Sequence, residues 1–116
     1  MNRSQLHSTG RNTLILDAYN ANPNSMKVAI ENFAKHPAQH KLLLLGDMFE
    51  LGEYSEEEHR RIIDLLKQQG FEKVVLVGQE FYKTEAGAYL KFSDTGACAD
   101  YLKQNPVSGH TVLIKG

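Results

Sequence analysis

The sequence predicts an α/β domain in three layers, with a mostly parallel sheet of five or six strands. Continuous apolar runs, rather than alternating ones, occur at KLLLLG (41–46), KVVLVG (73–78) and TVLIK (111–115). Such runs are typical of strands that are buried on both faces, as in a parallel sheet. Helical patterns separate the runs, and this alternation favours right-handed crossovers with helices on both faces of the sheet. Together these observations indicate a Rossmann-like fold.

The length and composition fit one domain of this kind. The chain has 116 residues, of which 41% are hydrophobic and 23% charged, so it can bury one modest core. Its net charge of −1 gives no reason to expect nucleic acid or an acidic membrane as a partner. The single cysteine, Cys98, excludes an internal disulfide framework and is typical of a cytoplasmic protein. No apolar run approaches the roughly 20 residues that a membrane span needs.

Two further apolar runs, TLIL (13–16) and YLKF (89–92), complete a set of five candidate strands. Residues 1–12 are polar and lack the apolar core of a signal peptide. We expect them to be a lead-in from an upstream domain, with the Rossmann-like domain over 13–116.

The first helix is predicted to begin at Pro23, with Asn22 as its N-cap. Ser55 and Glu58 have the spacing of a capping box and predict the start of a second helix, which Gly70 ends. A last helix is predicted from Asp94 to Gln104, and a short one within 79–86. The apolar residues that we expect these helices to bury are Met26, Ala29, Ile30, Phe33 and Ala34 in the first, Ile62, Ile63, Leu65 and Leu66 in the second, and Ala97, Cys98, Tyr101 and Leu102 in the last.

The segment DAYNANP (17–23) links the first strand to the first helix, which is the usual place for a nucleotide or another anion. Asp17 can accept hydrogen bonds from ribose hydroxyls, and Asn20 and Asn22 can both donate and accept. Tyr19 can stack on a ring. The alternative is ordinary turn chemistry, with Asx turns, an N-cap and a proline in the first helical turn.

The segment LGDMFELGEYS (45–55) follows the second strand and carries two carboxylates, Asp47 and Glu50. These could contact a metal ion, an ammonium group or a basic partner loop. The alternative is a glycine-punctuated loop in which Met48, Phe49 and Leu51 pack into the core. His59 is expected to be a packed histidine rather than a base, and Cys98 a buried, inert thiol.

Standard phosphate-binding and nucleophile motifs are missing from the sequence. There is no G-x-x-x-x-G-K-[ST] loop, no G-x-G-x-x-G after the first strand and no G-x-S-x-G elbow. A domain with a polar edge suited to a nucleotide, but with no phosphate loop, is expected to supply half of a site.

The quoted segments resemble the C-terminal domain of the Mur ligases. The text that carries the resemblance is DAYNANPNSM and LLLLGDMFELGEYSEEEH, and more weakly NRSQ near the start and VLIKG at the end. The Asn-Ala-Asn text favours the members that join D-alanyl-D-alanine to a UDP-N-acetylmuramoyl-tripeptide. The region 71–105 contributes only its strand–helix pattern.

The resemblance implies an ATP-dependent amide ligase, with ATP and Mg²⁺ bound mainly by a central domain outside this chain. It implies that Asp17, Tyr19, Asn20 and Asn22 face the nucleotide when the domains close, and that Asp47 and Glu50 lie in a substrate or closure loop. No catalytic residue or metal ligand is expected within the chain. We expect this domain to be a monomer and to be inactive alone.

Three alternatives remain open from the sequence. A sibling Mur ligase or a folylpolyglutamate synthase would have the same architecture with a different amine substrate. A receiver-like signalling module would use Asp17, Asp47 and Lys115, but Gly78 stands where its phosphorylated aspartate belongs and Ala18 where a second acid belongs. A stand-alone binding module with no enzyme attached is the third.

Overall fold

The computed structural model describes residues 4–8, 11–18 and 20–116, with the backbone alone for 4–8. Its elements alternate between strands and helices, as the sequence predicted, and a 3₁₀ turn at Gly52–Tyr54 precedes the second helix. In chain order the elements are β1 (Ser4–Ser8), β2 (Thr13–Asp17), α1 (Pro23–Ala34), β3 (Lys41–Gly46), α2 (Ser55–Gln68), β4 (Val74–Val77), α3 (Gln79–Tyr82), β5 (Leu90–Phe92), α4 (Thr95–Gln104) and β6 (Thr111–Lys115).

The strands form one sheet in the order β1-β2-β6-β3-β4-β5. All neighbours from β2 to β5 are parallel, whereas β1 pairs antiparallel to β2. The prediction of a mostly parallel sheet of five or six strands is therefore confirmed. Strand β1 lies within the segment 1–12, so the sheet includes part of the predicted lead-in. Strand β6 follows all the others along the chain but lies between β2 and β3.

Helices cover the two faces of the sheet unequally. The larger core cluster joins α1, α2 and α3 to one face, and the smaller cluster joins α4 to the other. Successive residues of β3 divide between the faces: Leu43 and Leu45 belong to the larger cluster, and Leu42 and Leu44 pack against the smaller one. This division explains the continuous apolar run, since both faces of the strand are covered.

Helix α1 begins as predicted and α2 does not. Asn22 is the N-cap of α1, and Pro23 occupies its first turn. Helix α2 has Tyr54 as its N-cap residue, with no side-chain cap hydrogen bond. The predicted capping box of Ser55 and Glu58 is therefore wrong, because the Ser55 hydroxyl donates to Glu80 instead. That partner lies 25 residues away, beyond the reach of a local pattern.

Helix α4 is capped by Asp94, whose carboxylate accepts a hydrogen bond from the Ala97 backbone N–H at 2.8 Å. Cys98 is buried, as predicted, and burial raises the pKa of its thiol. The predicted burial of Ala97 is wrong, since this residue is exposed. Tyr101 and Leu102 are half-buried. None of the helices in the described part of the chain is long and apolar enough to cross a membrane.

Candidate functional site

The carboxyl ends of the parallel strands meet at one edge of the sheet, and two polar loops leave the sheet there. The β2 loop, residues 18–22, joins β2 to α1. The β3 loop, residues 47–54, joins β3 to α2. Ligands of open α/β sheets bind at this edge, so the two loops define the candidate site.

Asp17 ends β2 and forms an ion pair with Lys115 at the end of β6. The Lys115 Nζ lies 3.1 Å from the Asp17 Oδ1, and the side chains are 1% and 13% exposed. The parallel register places the two residues opposite each other on neighbouring strands. Both residues end apolar runs in the sequence, but their pairing depends on the strand order, which local patterns do not reveal. Asp17 therefore neutralises a buried ammonium group at this edge.

Asn22 caps α1 through a reciprocal pair of hydrogen bonds with Ser25. The Asn22 Oδ1 accepts from the Ser25 backbone N–H at 2.9 Å, and the Asn22 N–H donates to the Ser25 Oγ at 3.0 Å. The Ser25 hydroxyl donates in turn to the Asn20 carbonyl at 2.7 Å. The turn chemistry that the sequence allowed is thus present. It uses the side-chain oxygen of Asn22, whereas Asn20 is exposed.

Of the residues predicted to face a nucleotide, Asp17, Asn20 and Asn22 lie near the start of α1. Tyr19 lies outside the described residues. Beside Asp17 and Lys115, an open groove of about 430 Å³ extends along α1. Val28 and Phe33 supply part of its apolar lining, and Ser25 adds a hydroxyl.

Asp47 is buried and caps the short helix α3. Its two carboxylate oxygens accept hydrogen bonds from the backbone N–H groups of Glu80 and Phe81, each at 2.9 Å. Gly78 passes directly over this carboxylate: a Cβ at Gly78 would lie 2.3 Å from the Asp47 Cγ. The backbone of Gly78 also has φ +126° and ψ 160°, a conformation that is essentially restricted to glycine.

His59 lies beneath the β3 loop with its side chain fully buried. Its Nε2 accepts a hydrogen bond from the Met48 backbone N–H at 3.1 Å, and its Nδ1 lies 2.7 Å from the Ser55 carbonyl oxygen, to which it donates. These partners define a neutral ring with the proton on Nδ1. The distance of 3.8 Å from Nε2 to the Asp47 Oδ1 is therefore a contact with a neutral imidazole. The prediction that His59 is a packed histidine is confirmed.

The middle of the β3 loop faces outward. Phe49 is 73% exposed, so the suggestion that it packs into the core is wrong. Met48 is buried, and Leu51 packs partly against the core. Glu50 is exposed and has φ +63°, a left-handed conformation that is uncommon outside glycine.

Glu80 connects α3 to the start of α2. Its carboxylate accepts a hydrogen bond from the Ser55 hydroxyl at 2.6 Å and lies 3.2 Å from the Lys83 Nζ. The hydrogen bond from Ser55, followed by that from Lys83, lowers the pKa of Glu80 below its ordinary value. The described residues contain no group of three or more histidine, cysteine, aspartate or glutamate side chains that could hold a metal ion.

Comparison with known proteins identifies the family. The family model described as "Mur ligase, glutamate ligase domain" matches residues 2–116. The chain belongs to this family.

The Mur ligase family has members that are similar to this chain over most of its length. The UDP-N-acetylmuramoyl-tripeptide–D-alanyl-D-alanine ligase of Escherichia coli is 36% identical over an alignment of 110 residues, which covers 90% of this chain and 24% of that protein. The ligase of the same name from Bacillus subtilis is 30% identical over 120 aligned residues, covering 89% of this chain and 24% of that protein. The chain thus spans about a quarter of the length of these relatives.

A solved structure shares the fold. MurF ligase from Thermotoga maritima, crystallised in complex with ADP, superposes with a TM-score of 0.79 and 26% identity. The match covers 98% of this chain and 27% of that protein. The Mur ligase domain described here therefore has the architecture of a domain that occurs within a larger ligase.

The start of α1 offers a ligand only part of what a nucleotide needs. Pro23 has no N–H to donate, and the Ser25 N–H already donates to the Asn22 side chain. Among the first three residues of α1, Asn24 is therefore the one whose backbone N–H a ligand could use. The exposed Asn20 amide suits a base edge or a ribose hydroxyl. A triphosphate would need several more donors or cations than these groups supply.

Proposed function

We propose that this chain is the C-terminal domain of an ATP-dependent ligase that joins D-alanyl-D-alanine to UDP-N-acetylmuramoyl-tripeptide in peptidoglycan precursor synthesis. The proposal is supported by full-length relatives of that name, which are 30% and 36% identical over about nine-tenths of this chain. The observation that carries it is the position of Asn20 and Asn22 at the carboxyl edge of the sheet, where α1 begins.

Amide formation from a carboxylate needs a better leaving group than hydroxide. Transfer of the γ-phosphoryl group of ATP to the tripeptide carboxylate supplies one, and the amine of D-alanyl-D-alanine then displaces phosphate through a tetrahedral intermediate. Most of the rate acceleration in such reactions comes from placing the reactants and their charges. This domain contributes to placement, since no nucleophile or general base is assigned within it.

The β2 loop is the part of the domain that we assign to the nucleotide. Asn20 presents an exposed amide that can both donate to and accept from an adenine edge or a ribose. Asn22 uses its oxygen to cap α1 and keeps its NH₂ group for donation. Asp17 supports the loop through its ion pair with Lys115, and we expect Tyr19 to stack on a ring.

The remaining requirements of the reaction fall to parts of the ligase outside this chain. These parts would hold Mg²⁺, the phosphates of ATP and the UDP portion of the tripeptide substrate. In this role the protein acts in the cytoplasm as a monomer, and the 116-residue chain alone does not catalyse ligation. Asp47 and Glu50 remain proposed members of a substrate or domain-closure loop, with Glu50 the more accessible of the two.

Phosphate release by the complete ligase tests the proposal. ATP and UDP-N-acetylmuramoyl-tripeptide are supplied with and without D-alanyl-D-alanine, and we expect release to depend on the dipeptide. Asn20→Ala should lower kcat/KM for ATP by about tenfold, which corresponds to the loss of one good hydrogen bond. Asn22→Ser is the matched control for capping, because serine keeps an oxygen for the Ser25 N–H while it removes the amide.

Each result has a distinct meaning. Phosphate release that is not stimulated by D-alanyl-D-alanine would contradict the proposed substrate and favour a sibling ligase with another amine. Dipeptide-dependent release that is unchanged by Asn20→Ala and Asn22→Ser would retain the ligase and reduce the β2 loop to turn chemistry. Ligation by the 116-residue chain alone would contradict its proposed dependence on other domains.

A further inference from the structure

His59 joins the two ends of the β3 loop. Its Nε2 holds the backbone N–H of Met48, directly after Asp47 at the start of the loop. Its Nδ1 holds the carbonyl of Ser55, directly after the loop ends. One imidazole ring therefore fixes the separation of the loop ends, and it does so through backbone atoms.

The ring of His59 is fully buried and has an aromatic neighbour. It packs in a T-shaped arrangement with the Phe81 ring, and the two ring centroids are 4.6 Å apart. Asp47 caps the helix that carries Phe81, and Ser55 bonds to Glu80 of the same helix. The start of the loop, α2 and α3 thus form one hydrogen-bonded unit around the ring.

Most of the β3 loop between these two ends is exposed to solvent. Phe49 and Tyr54 are 73% and 60% exposed, and Glu50 has φ +63°. Neither large exposed aromatic side chains nor a left-handed glutamate favours folding. The loop also lines an open cleft of about 440 Å³ at the carboxyl edge, together with Gly78 and Gln79.

We propose that His59 is a positioning residue of the ligase, which clamps the β3 loop so that its exposed middle meets the substrates at the carboxyl edge. The inference rests on the proposed function. His59 contacts no substrate itself and acts through Met48 and Ser55, whose backbone groups set the path of the loop. A loop displaced by about 1 Å can slow an enzyme up to a hundredfold, because the reacting groups are no longer aligned.

The experiment uses the complete ligase with three variants. His59→Leu keeps an apolar side chain in the buried site but removes both hydrogen bonds. His59→Gln places an amide oxygen where Nε2 lies, so that the Met48 N–H keeps an acceptor. Val75→Ala is the matched control, because Val75 is 3% exposed and belongs to the core cluster on the opposite face of the sheet. This substitution should lower the stability of the protein without changing the β3 loop.

We expect His59→Leu to lower kcat by about tenfold to a hundredfold at saturating ATP, tripeptide and dipeptide. His59→Gln should recover part of that loss. Val75→Ala should keep kcat within about twofold even where its Tm is as low as that of His59→Leu. All assays are run below the lowest Tm, measured by circular dichroism on the same preparations.

Two results would overturn the inference: an unchanged kcat in His59→Leu, or an equal loss in Val75→Ala at equal Tm, which would assign His59 to stability alone. A His59→Gln enzyme as slow as His59→Leu would contradict the role of the Met48 hydrogen bond. Failure of the unmodified ligase to release phosphate in response to D-alanyl-D-alanine is a separate outcome, because it contradicts the proposed function before any variant is compared.

Discussion

The β2 loop and the β3 loop leave the same edge of the sheet, and in the sequence each follows an apolar strand that ends near an aspartate. In the β2 loop the polar contacts are local: Asn22, Ser25 and the Asn20 carbonyl bond within five residues of one another. In the β3 loop they are distant: Asp47 bonds to the backbone of Phe81, 34 residues on. Asn20 is exposed, whereas Asp47 is buried.

This difference shows that an aspartate at the end of a strand can have different structural roles. Asp17 neutralises a buried lysine, and Asp47 caps a helix. We therefore propose that a ligand contacts exposed neighbours of Asp17 and Asp47 rather than these two aspartates. The exposed neighbours are Asn20 in the β2 loop and the Phe49–Glu50 segment in the β3 loop. We expect the acids to affect mainly stability and their neighbours to affect mainly activity.

Gly78→Ala should have the largest effect on stability, because Gly78 lies against Asp47 at the start of the β3 loop. The added Cβ would overlap the Asp47 carboxylate, and alanine does not tolerate φ +126°. Strain and overlap together should reduce the free energy of unfolding by about 4 kcal/mol. Gly52→Ala is the control, because Gly52 has φ +56° and open space around it, so its cost should be about 1 kcal/mol. Urea unfolding that ranks the two variants equally would refute the steric role of Asp47.

Asp17→Ala tests the framework of the β2 side. Removing the carboxylate takes the counter-charge from Lys115, which is 1% exposed, and should cost about 3 kcal/mol. Adding Lys115→Met should restore much of this stability, because an apolar pair avoids the buried charge. The two variants and their combination are compared by thermal unfolding. If the combination is less stable than Asp17→Ala alone, the ion pair is not the source of the effect.

Asn22→Ala should cost about 1 kcal/mol of stability through loss of the α1 cap. Asn22→Ser should stay within about 0.5 kcal/mol of the unmodified chain, since serine is an equally good N-cap. Guanidinium unfolding of both variants separates the capping role of Asn22 from its proposed contact with the nucleotide. Equal stability of the alanine and serine variants would argue against the cap.

Ser55→Ala should give the smallest effect, about 0.5 kcal/mol, because solvent screens the hydrogen bond to the Glu80 carboxylate, which is 29% exposed. Its pH dependence has a definite sign. Because the hydrogen bond lowers the pKa of Glu80 from 4.5, its stabilisation is complete above that value and is lost as the pH falls through the lowered pKa. The difference in unfolding free energy between Ser55→Ala and the unmodified chain should therefore shrink on acidification. A difference that grows as the pH falls below 4.5 would contradict the Ser55–Glu80 pair.

The sequence predicted the features that depend on nearby residues. The apolar runs of β3 and β6, the start of α1 at Pro23 and the burial of Cys98 are confirmed. Local spacing wrongly assigned Ser55 to a capping box, since Glu80 competes for its hydroxyl from 25 residues away. The Asp17–Lys115 pair could have been found by placing β6 beside β2. The clamp around His59 could not, because it depends on how the β3 loop folds back onto α2.

The position of β6 has a consequence for how this domain is made. Residues 111–115 complete the centre of the sheet, where they join the β1–β2 pair to the β3–β4–β5 group. During synthesis, β1 to β5 leave the ribosome before β6. Until β6 follows, the β1–β2 pair and the β3–β4–β5 group remain separate and have unpaired inner edges, which are prone to pair with other chains. The sheet can close only when β6 emerges, so nascent chains that are truncated before Thr111 should be recognised by chaperones and proteases rather than fold.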